Sequence, residues 1–330
     1  MAETMTDTRA DVWELTAAGG EQSGYESRNR RRDHAEWMSR LADHVAEVER
    51  RWSLAVQEPL GPSNGYVARA NREGGGEVVV KLGVPGIEFA RELEALRLYG
   101  GRGAVMLLKA EPAHGSMMLE SVRPGRVLSD VSNDEEATTI AASVMRNLWR
   151  RAPEQHPFAA MSEFEGGVEW LRTCRANKRG PIPTTLASRA EGLLRELATA
   201  RVEPVLLHGD LHHDNILSAE RVPWLAIDPK GVVGDPAYDV GPFLYNRLFE
   251  TDCPVKVLKR RVDQMAEALG FGRDRIVGAA IPRAVLAAWP SGASGEPWRE
   301  PLRCAELLTE QGPISGRRVD AHHRPDPPAP

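Results

Sequence analysis

The segment from Pro204 to Asn246 constrains this chain more than any other, because it sets short apolar runs against a dense polar knot. Val205 to Leu207 has the length and character of a buried strand. His208-Gly209-Asp210-Leu211-His212-His213-Asp214-Asn215 follows, and Ile216-Leu217 leads away from it. A third apolar run, Trp224 to Ile227, ends in Asp228-Pro229. Asp210, Asn215 and Asp228 therefore stand at the ends of short strands, and a β-hairpin gathers such ends at one edge.

Two carboxylates and an amide gathered in this way suit phosphoryl transfer. One carboxylate orients the attacking hydroxyl, while the amide and the other carboxylate hold Mg²⁺ against nucleotide phosphates. The protein-kinase catalytic loop has the spacing H-x-D-x-x-x-x-N with a further Asp on the next hairpin. His208, Asp210 and Asn215 meet that spacing, and Asp228 lies thirteen residues after Asn215. A rival reading makes His208, Asp210, His212, His213 and Asp214 the metal cluster of a hydrolase. That reading leaves Asn215 and the acidic turn at Asp228 without a task. His212 and His213 taken singly suit hydrogen bonding within the loop.

The motifs HGDLHHDN and WLAIDPKGVVGDPAYD closely resemble those of the aminoglycoside phosphotransferases, and within them the branch containing streptomycin 6-kinase and the hydroxyurea phosphotransferases. The resemblance is densest over residues 204–246 and looser over 35–310. It implies an α+β, two-lobed, protein-kinase-like fold. The N-lobe, residues 34–121, carries an antiparallel sheet with one key helix and binds the nucleotide. The larger, mostly helical C-lobe, residues 122–311, carries catalysis and the acceptor. A polar, flexible segment at 1–33 and a disordered tail at 312–330 lie outside both lobes.

The same resemblance implies roles. Asp210 is the catalytic residue, Asn215 and Asp228 hold Mg²⁺, and ATP is the phosphoryl donor. His208 and Asp239 support the catalytic loop; for Asp239 the alternative is a surface acid. Leu119, Glu120 and Ser121 form the hinge whose backbone meets the adenine. The acceptor is a small cationic antibiotic, streptomycin at its 6-hydroxyl, and phosphorylation confers resistance. Hydroxyurea or another small hydroxylated metabolite is the alternative acceptor. A nucleotide-binding pseudokinase acting as an interaction protein is the alternative of another class.

The rest of the chain fits this frame. Trp37, Leu41, Val45, Val48 and Trp52 recur at helical spacing. Strand signals follow at Ser53–Glu58, Tyr66–Ala70 and Glu77–Leu82, with Gly74-Gly75-Gly76 as a hairpin tip. Pro59 to Gly65 forms a turn without the protein-kinase glycine pattern. Lys81 closes a β-branched run, where kinases place their phosphate-binding lysine; an exposed edge lysine is the alternative. The next predicted helix, Gly86 to Tyr99, carries Glu88, Glu92 and Glu94, and the family resemblance, through Glu92 to Arg97, implies Glu92 as the partner of Lys81, with Glu88 as runner-up. Two further strands are predicted at Ala104–Leu108 and Met117–Glu120, and helices at Asp134–Arg151, Ser162–Arg175 and Thr184–Ala200. Asp235-Pro236 suits a helix start. Closing helices span Val255–Leu269, Arg273–Trp289 and Trp298–Thr309, with Pro282 expected to kink or interrupt the second.

Composition narrows the partners. The net charge of −5 gives no ground for a nucleic-acid partner and suits a cationic small molecule. The arginines among residues 28–32 are balanced by nearby acids and read as a solvated segment. Three scattered cysteines, Cys174, Cys253 and Cys304, without a C-x-x-C pair point to a reducing, cytoplasmic setting. No apolar run approaches the ~20 residues of a membrane span. No local motif encodes the acceptor pocket; Glu163, Glu165, Glu169, Glu296 and Glu300 are candidates to face a cation, or are solvated surface acids.

Overall fold

The computed structural model describes residues 32–61, 65–160, 165–176, 182–200, 202–288 and 299–310. The predicted flexible start, apart from residues 32 and 33, and the predicted tail lie outside these residues. So do Glu163, Glu296 and the middle of the turn before Gly65.

The first part is a five-stranded antiparallel sheet built from β1 (Leu54–Pro59), β2 (Tyr66–Arg72), β3 (Glu77–Leu82), β4 (Leu107–Glu111) and β5 (Ser116–Glu120), in the order β1-β2-β3-β5-β4. Alternation along β3 decides what each face does. Val78, Val80 and Leu82 are buried against Trp37, Val48 and Trp52. These tryptophans belong to residues 32–39, which are helical, and to α1 (Leu41–Trp52). Val79 faces the other way, toward the cluster that holds Phe89, Leu93 and Leu96 of α2 (Ile87–Tyr99). Lys81, two residues on, must share that face. Burial of the three α2 side chains contributes about 1.5–3 kcal/mol each and fixes the helix against the sheet. Gly100, at φ 55, ends α2 with its N–H bonded to the Leu96 carbonyl.

The helical part contains α3 (Asp134–Leu148), α4 (Glu165–Ala176), α5 (Thr184–Thr199), α6 (Val240–Tyr245), α7 (Pro254–Leu269), α8 (Arg273–Leu286) and α9 (Arg299–Glu310). Asn133 caps α3 by accepting from the N–H groups of Glu135 and Glu136. Helix α8 runs through Pro282 without interruption, so of the kink or break expected there the break does not occur. Ile276, Ile281 and Val285, all fully buried, hold the helix on both sides of the proline.

Two small sheets carry the polar knot. One has the order β10-β9-β6, from β6 (Pro124–Val127), β9 (Ile216–Ala219) and β10 (Trp224–Ala226). The other has the order β7-β11-β8, from β7 (Ala159–Ala160), β8 (Val205–Leu207) and β11 (Val232–Gly234). Strands β6, β7 and β11 carry too little apolar sequence to be predicted. Strand β4 lies three residues later than expected. Ala104 instead pairs with Ala226, and this backbone bridge ties the five-stranded sheet to β10.

Arg150 makes a second tie between the two parts. Its guanidinium donates to the carbonyls of Leu98, Tyr99 and Arg102 at 2.8–3.0 Å, and to Asn147 and Leu148 at the end of α3. One cation thus serves the carbonyl-rich C-termini of both α2 and α3.

Candidate active site

The hairpin β9–β10 does what its ends require. Ile216 pairs with Ala226, and the Ile227 N–H donates to the Asn215 carbonyl at 3.0 Å. Strand β11 then returns beside β8, with Leu207 opposite Val232, and the Lys230 N–H donates to the His208 carbonyl at 2.7 Å. The two loops that carry Asp210 and Asp228 are therefore stitched together through backbone bonds.

Asp239 holds the first loop. Fully buried, it accepts from the His208 N–H at 2.9 Å, the Gly209 N–H at 2.7 Å and the Trp149 indole at 3.1 Å. His208 is also fully buried. Its Nε2 donates to the Ile227 carbonyl at 2.7 Å, which leaves Nδ1 to accept the Asp210 N–H at 3.2 Å. Burial lowers the His208 pKa, so this neutral tautomer is the working form. Gly209 turns the chain at φ +84, and a Cβ there would lie 3.0 Å from a Val232 methyl.

Asn215 donates through Nδ2 to the Asp210 carbonyl at 3.0 Å. The nitrogen end of the amide is thus spent on the loop, and its oxygen end is the one suited to a cation. Asp228 sits at φ 61, a left-handed conformation that costs a non-glycine residue about 1–3 kcal/mol. Lys81 donates to one of its oxygens and Lys230 to the other, the latter at 2.6 Å. Burial works against its charge, but the two lysines outweigh that and lower its pKa.

Lys81 also meets Glu92 at 2.5 Å, which selects Glu92 of α2 as its partner. Burial disfavours the lysine charge; Glu92 and Asp228 overcome it and raise the pKa of Lys81. Burial raises the Glu92 carboxyl in turn, against the pull of Lys81. A chain of contacts Glu92–Lys81–Asp228–Lys230 therefore runs from α2 to the second loop.

Leu119 to Ser121, the stretch expected to form the hinge, lies at the end of β5. Leu119 is buried opposite Val79. The Glu120 N–H donates to the Met106 carbonyl at 3.0 Å, and its carboxylate takes Arg221 at 2.6 Å and the Met106 N–H at 2.8 Å. Ser121 donates to Glu77. The side chain and the N–H of Glu120 are thus committed within the protein.

Sequence reasoning missed three neighbours. Arg283 of α8 donates to an Asp210 carboxylate oxygen at 3.0 Å and to the Gly209 carbonyl at 3.1 Å. Trp149 and Lys230 join the site as described. Lys230 could have been found from its place two residues after Asp228; Arg283 and Trp149 lie far off in sequence and leave no local signal. Glu169 pairs with Arg172 at 3.1 Å. Among the described residues, no group of three or more His, Cys, Asp and Glu side chains converges on a metal position, which leaves the hydrolase reading without a donor set. None of the described helices is long and apolar enough to cross a membrane.

The chain is similar to known proteins over most of its length. Residues 51–293 match the family described as aminoglycoside/hydroxyurea antibiotic resistance kinase. The chain is 31% identical to a streptomycin 6-kinase of Streptomyces glaucescens over 257 residues, 73% of this chain and 80% of that one. It is 34% identical to a hydroxyurea phosphotransferase of Kitasatospora aureofaciens over 254 residues, 73% of this chain and 70% of that one. Among solved structures, an amicoumacin kinase superposes with a TM-score of 0.58 at 16% identity, covering 87% of this chain and 98% of that one. A choline kinase from Streptococcus pneumoniae gives 0.57 at 15% identity, covering 80% and 98%. The structural likenesses establish the two-lobed, protein-kinase-like α+β fold, and the family match and curated relatives establish that the chain belongs to the aminoglycoside/hydroxyurea antibiotic resistance kinases.

Proposed function

We propose that the protein transfers the γ-phosphoryl group of ATP to the 6-hydroxyl of streptomycin or a close relative. The nucleotide-binding lobe is residues 34–121 and the acceptor lobe is residues 122–311. The observation that carries the reading is the juxtaposition of the two loops: Asp210 on one, Asp228 on the other, with Lys81 and Glu92 bridging to the sheet.

Asp210 orients the acceptor hydroxyl. A bond forms between the hydroxyl oxygen and the γ-phosphorus, the bond from that phosphorus to the bridging oxygen of ADP breaks, and the hydroxyl proton passes to Asp210. The transition state is loose, so a carboxylate of ordinary basicity suffices. Lys81 neutralises the nucleotide phosphates. The backbone of Leu119 to Ser121 meets the adenine; for Glu120 this falls to groups other than its N–H. Asn215 and Asp228 offer the oxygen donors that Mg²⁺ prefers, and the pairing of Asp228 with two ammonium groups supports its assignment as a carboxylate that faces cations. When bound, that ion would neutralise charge developing on the phosphates. His208 and Asp239 keep the loop in shape.

The two acceptor readings each have a curated relative behind them, since the streptomycin 6-kinases and the hydroxyurea phosphotransferase match over similar shares of the chain. The hydroxyurea enzyme is the more identical, 34% against 31% and 32%, while the streptomycin 6-kinases are covered over more of their length, so streptomycin is the first acceptor to test and hydroxyurea the second. The test is a panel of acceptors with ATP and Mg²⁺, read by mass spectrometry of the products. A phosphate on hydroxyurea and none on streptomycin would replace the first acceptor with the second. No ATP turnover with any acceptor would turn the reading to a nucleotide-binding interaction protein. Within an active enzyme, Asp210→Asn should abolish nearly all turnover and leave ATP affinity within a fewfold; turnover close to the original would remove Asp210 from its role.

A further inference from the structure

The Asp210 carboxylate does not stand alone at the loop. Its Oδ1 receives Arg283 Nη2 at 3.0 Å, and the same nitrogen donates to the Gly209 carbonyl at 3.1 Å. Its Oδ2 lies 3.9 Å from His212 Nε2. The arginine comes from α8, seventy-three residues away. Its side chain is 14% exposed, and the guanidinium lies 5.9 Å from the Tyr238 ring centroid. The chain makes room for it: a Cβ on Gly241 of α6 would come within 2.7 Å of Arg283 Cγ and 2.9 Å of its Cβ. A long cation led through a channel that only glycine leaves open, and delivered to one carboxylate oxygen and the adjoining carbonyl, is a built arrangement rather than a chance surface pair.

A lone carboxylate on a short loop can turn about χ1 and χ2. Arg283 removes that freedom by holding one oxygen, and its second bond to the preceding carbonyl fixes the guanidinium itself. A planar guanidinium keeps such a geometry where an ammonium does not. The remaining oxygen is then the one presented to an acceptor.

We propose that Arg283 is the positioning residue of the reaction: it clamps Oδ1 of Asp210 and the Gly209 carbonyl, so that Oδ2 meets the acceptor hydroxyl in line with the phosphoryl group. This rests on the assignment of Asp210 as the catalytic carboxylate. The hydrogen bonds of Arg283 go to Asp210 and Gly209 and not to β3 or Asp228, so its loss should be felt in kcat and not in the KM for ATP.

The experiment compares R283Q, R283K, R283A and G241A with the original enzyme and with D210N, using full-length protein, the acceptor found active in the panel, and a melting curve for each variant. R283Q should lower kcat by about 10²-fold, the cost of a misplacement of about 1 Å, with the KM for ATP changed by less than about threefold. R283K, which keeps the charge and loses the planar nitrogen that serves both acceptors, should fall between. G241A, which crowds the arginine without touching the loop, should lower kcat in the same direction. Guanidinium ion added to R283A should restore part of its kcat in a saturable way and do nothing for D210N. Folded R283Q and R283K with the original kcat would overturn the proposal. So would an R283A whose kcat and KM for ATP worsen together with no response to guanidinium, the signature of a merely structural arginine. If R283Q does not fold, G241A and R283K decide by the same two criteria. Should D210N itself retain turnover, the catalytic assignment fails; D210N inactive beside a fully active R283Q fails the clamp alone.

Discussion

Asp239 gives the most direct physical test of how the loop that carries Asp210 is held. Its carboxylate is the common acceptor for three donors: the N–H groups of His208 and Gly209 and the indole of Trp149. Truncation to alanine leaves three donors without their partner in a fully buried site. Each such donor costs about 1–3 kcal/mol, so the low end for the set is about 3 kcal/mol. Against a total stability of about 5–15 kcal/mol, Asp239→Ala should therefore still fold, but with a large share of its margin gone. At about 2 °C per kcal/mol for a chain of this size, the melting temperature should fall by about 6 °C or more. Asp239→Asn separates the donors. Its amide oxygen is best placed at Oδ2, where it serves His208 and Trp149 together, and its NH₂ then faces the Gly209 N–H. Hydrogen exchange followed by fragment-resolved mass spectrometry should show lost protection at Gly209 first in the asparagine variant, and across His208 to Asp210 in the alanine variant. A melting temperature within 1 °C of the original for Asp239→Ala, with loop protection intact, would refute the account, because three donors cannot lose a buried acceptor at no cost.

Asp228→Ala should weaken nucleotide binding in the presence of Mg²⁺ far more than in its absence, read by titration calorimetry under both conditions; equal affinities would take the metal away from this residue. Lys81→Ala should lower nucleotide affinity, Glu92→Ala should do so less, and the double variant should be no worse than Lys81→Ala, since Glu92 acts through the lysine it meets at 2.5 Å. Strict additivity in that cycle would dissolve the pairing. The KM for streptomycin, which carries two guanidinium groups, should rise clearly with added salt because exposed charges are screened beyond ~8 Å at physiological ionic strength, while that for neutral hydroxyurea should barely change. A salt-independent KM for streptomycin would mean that its charges are not what the pocket reads.

Much of the site is written locally. The loop from His208 to Asn215 closes on itself: the Asp210 N–H reaches His208, and the Asn215 amide reaches the Asp210 carbonyl. Bonds between residues two and five apart leave a spacing that can be read from the chain. The position of Lys81 was legible for the same reason, since strict alternation along β3 puts it on the face of Val79 and α2.

Local sequence also determined that two acidic turns flank a hairpin and that long amphipathic helices follow, because periodicity and turn residues act within a few positions. It could not rank Glu92 over Glu88 from residue type alone. That depends on how far along β3 the helix docks, and packing of Phe89, Leu93 and Leu96 decides it. Strands β6, β7 and β11 hold because of partners elsewhere, not because of their own composition. Arg283 and Trp149 reach the candidate site, and Arg150 ties the sheet to the helical part, only when the chain closes. An arginine seventy-three residues from Asp210 carries no mark of its destination until α8 and α6 pack and the missing side chain of Gly241 opens its path. Hydrogen bonds between distant residues are decided by where whole elements settle, and that is a property of the packed core rather than of any one stretch.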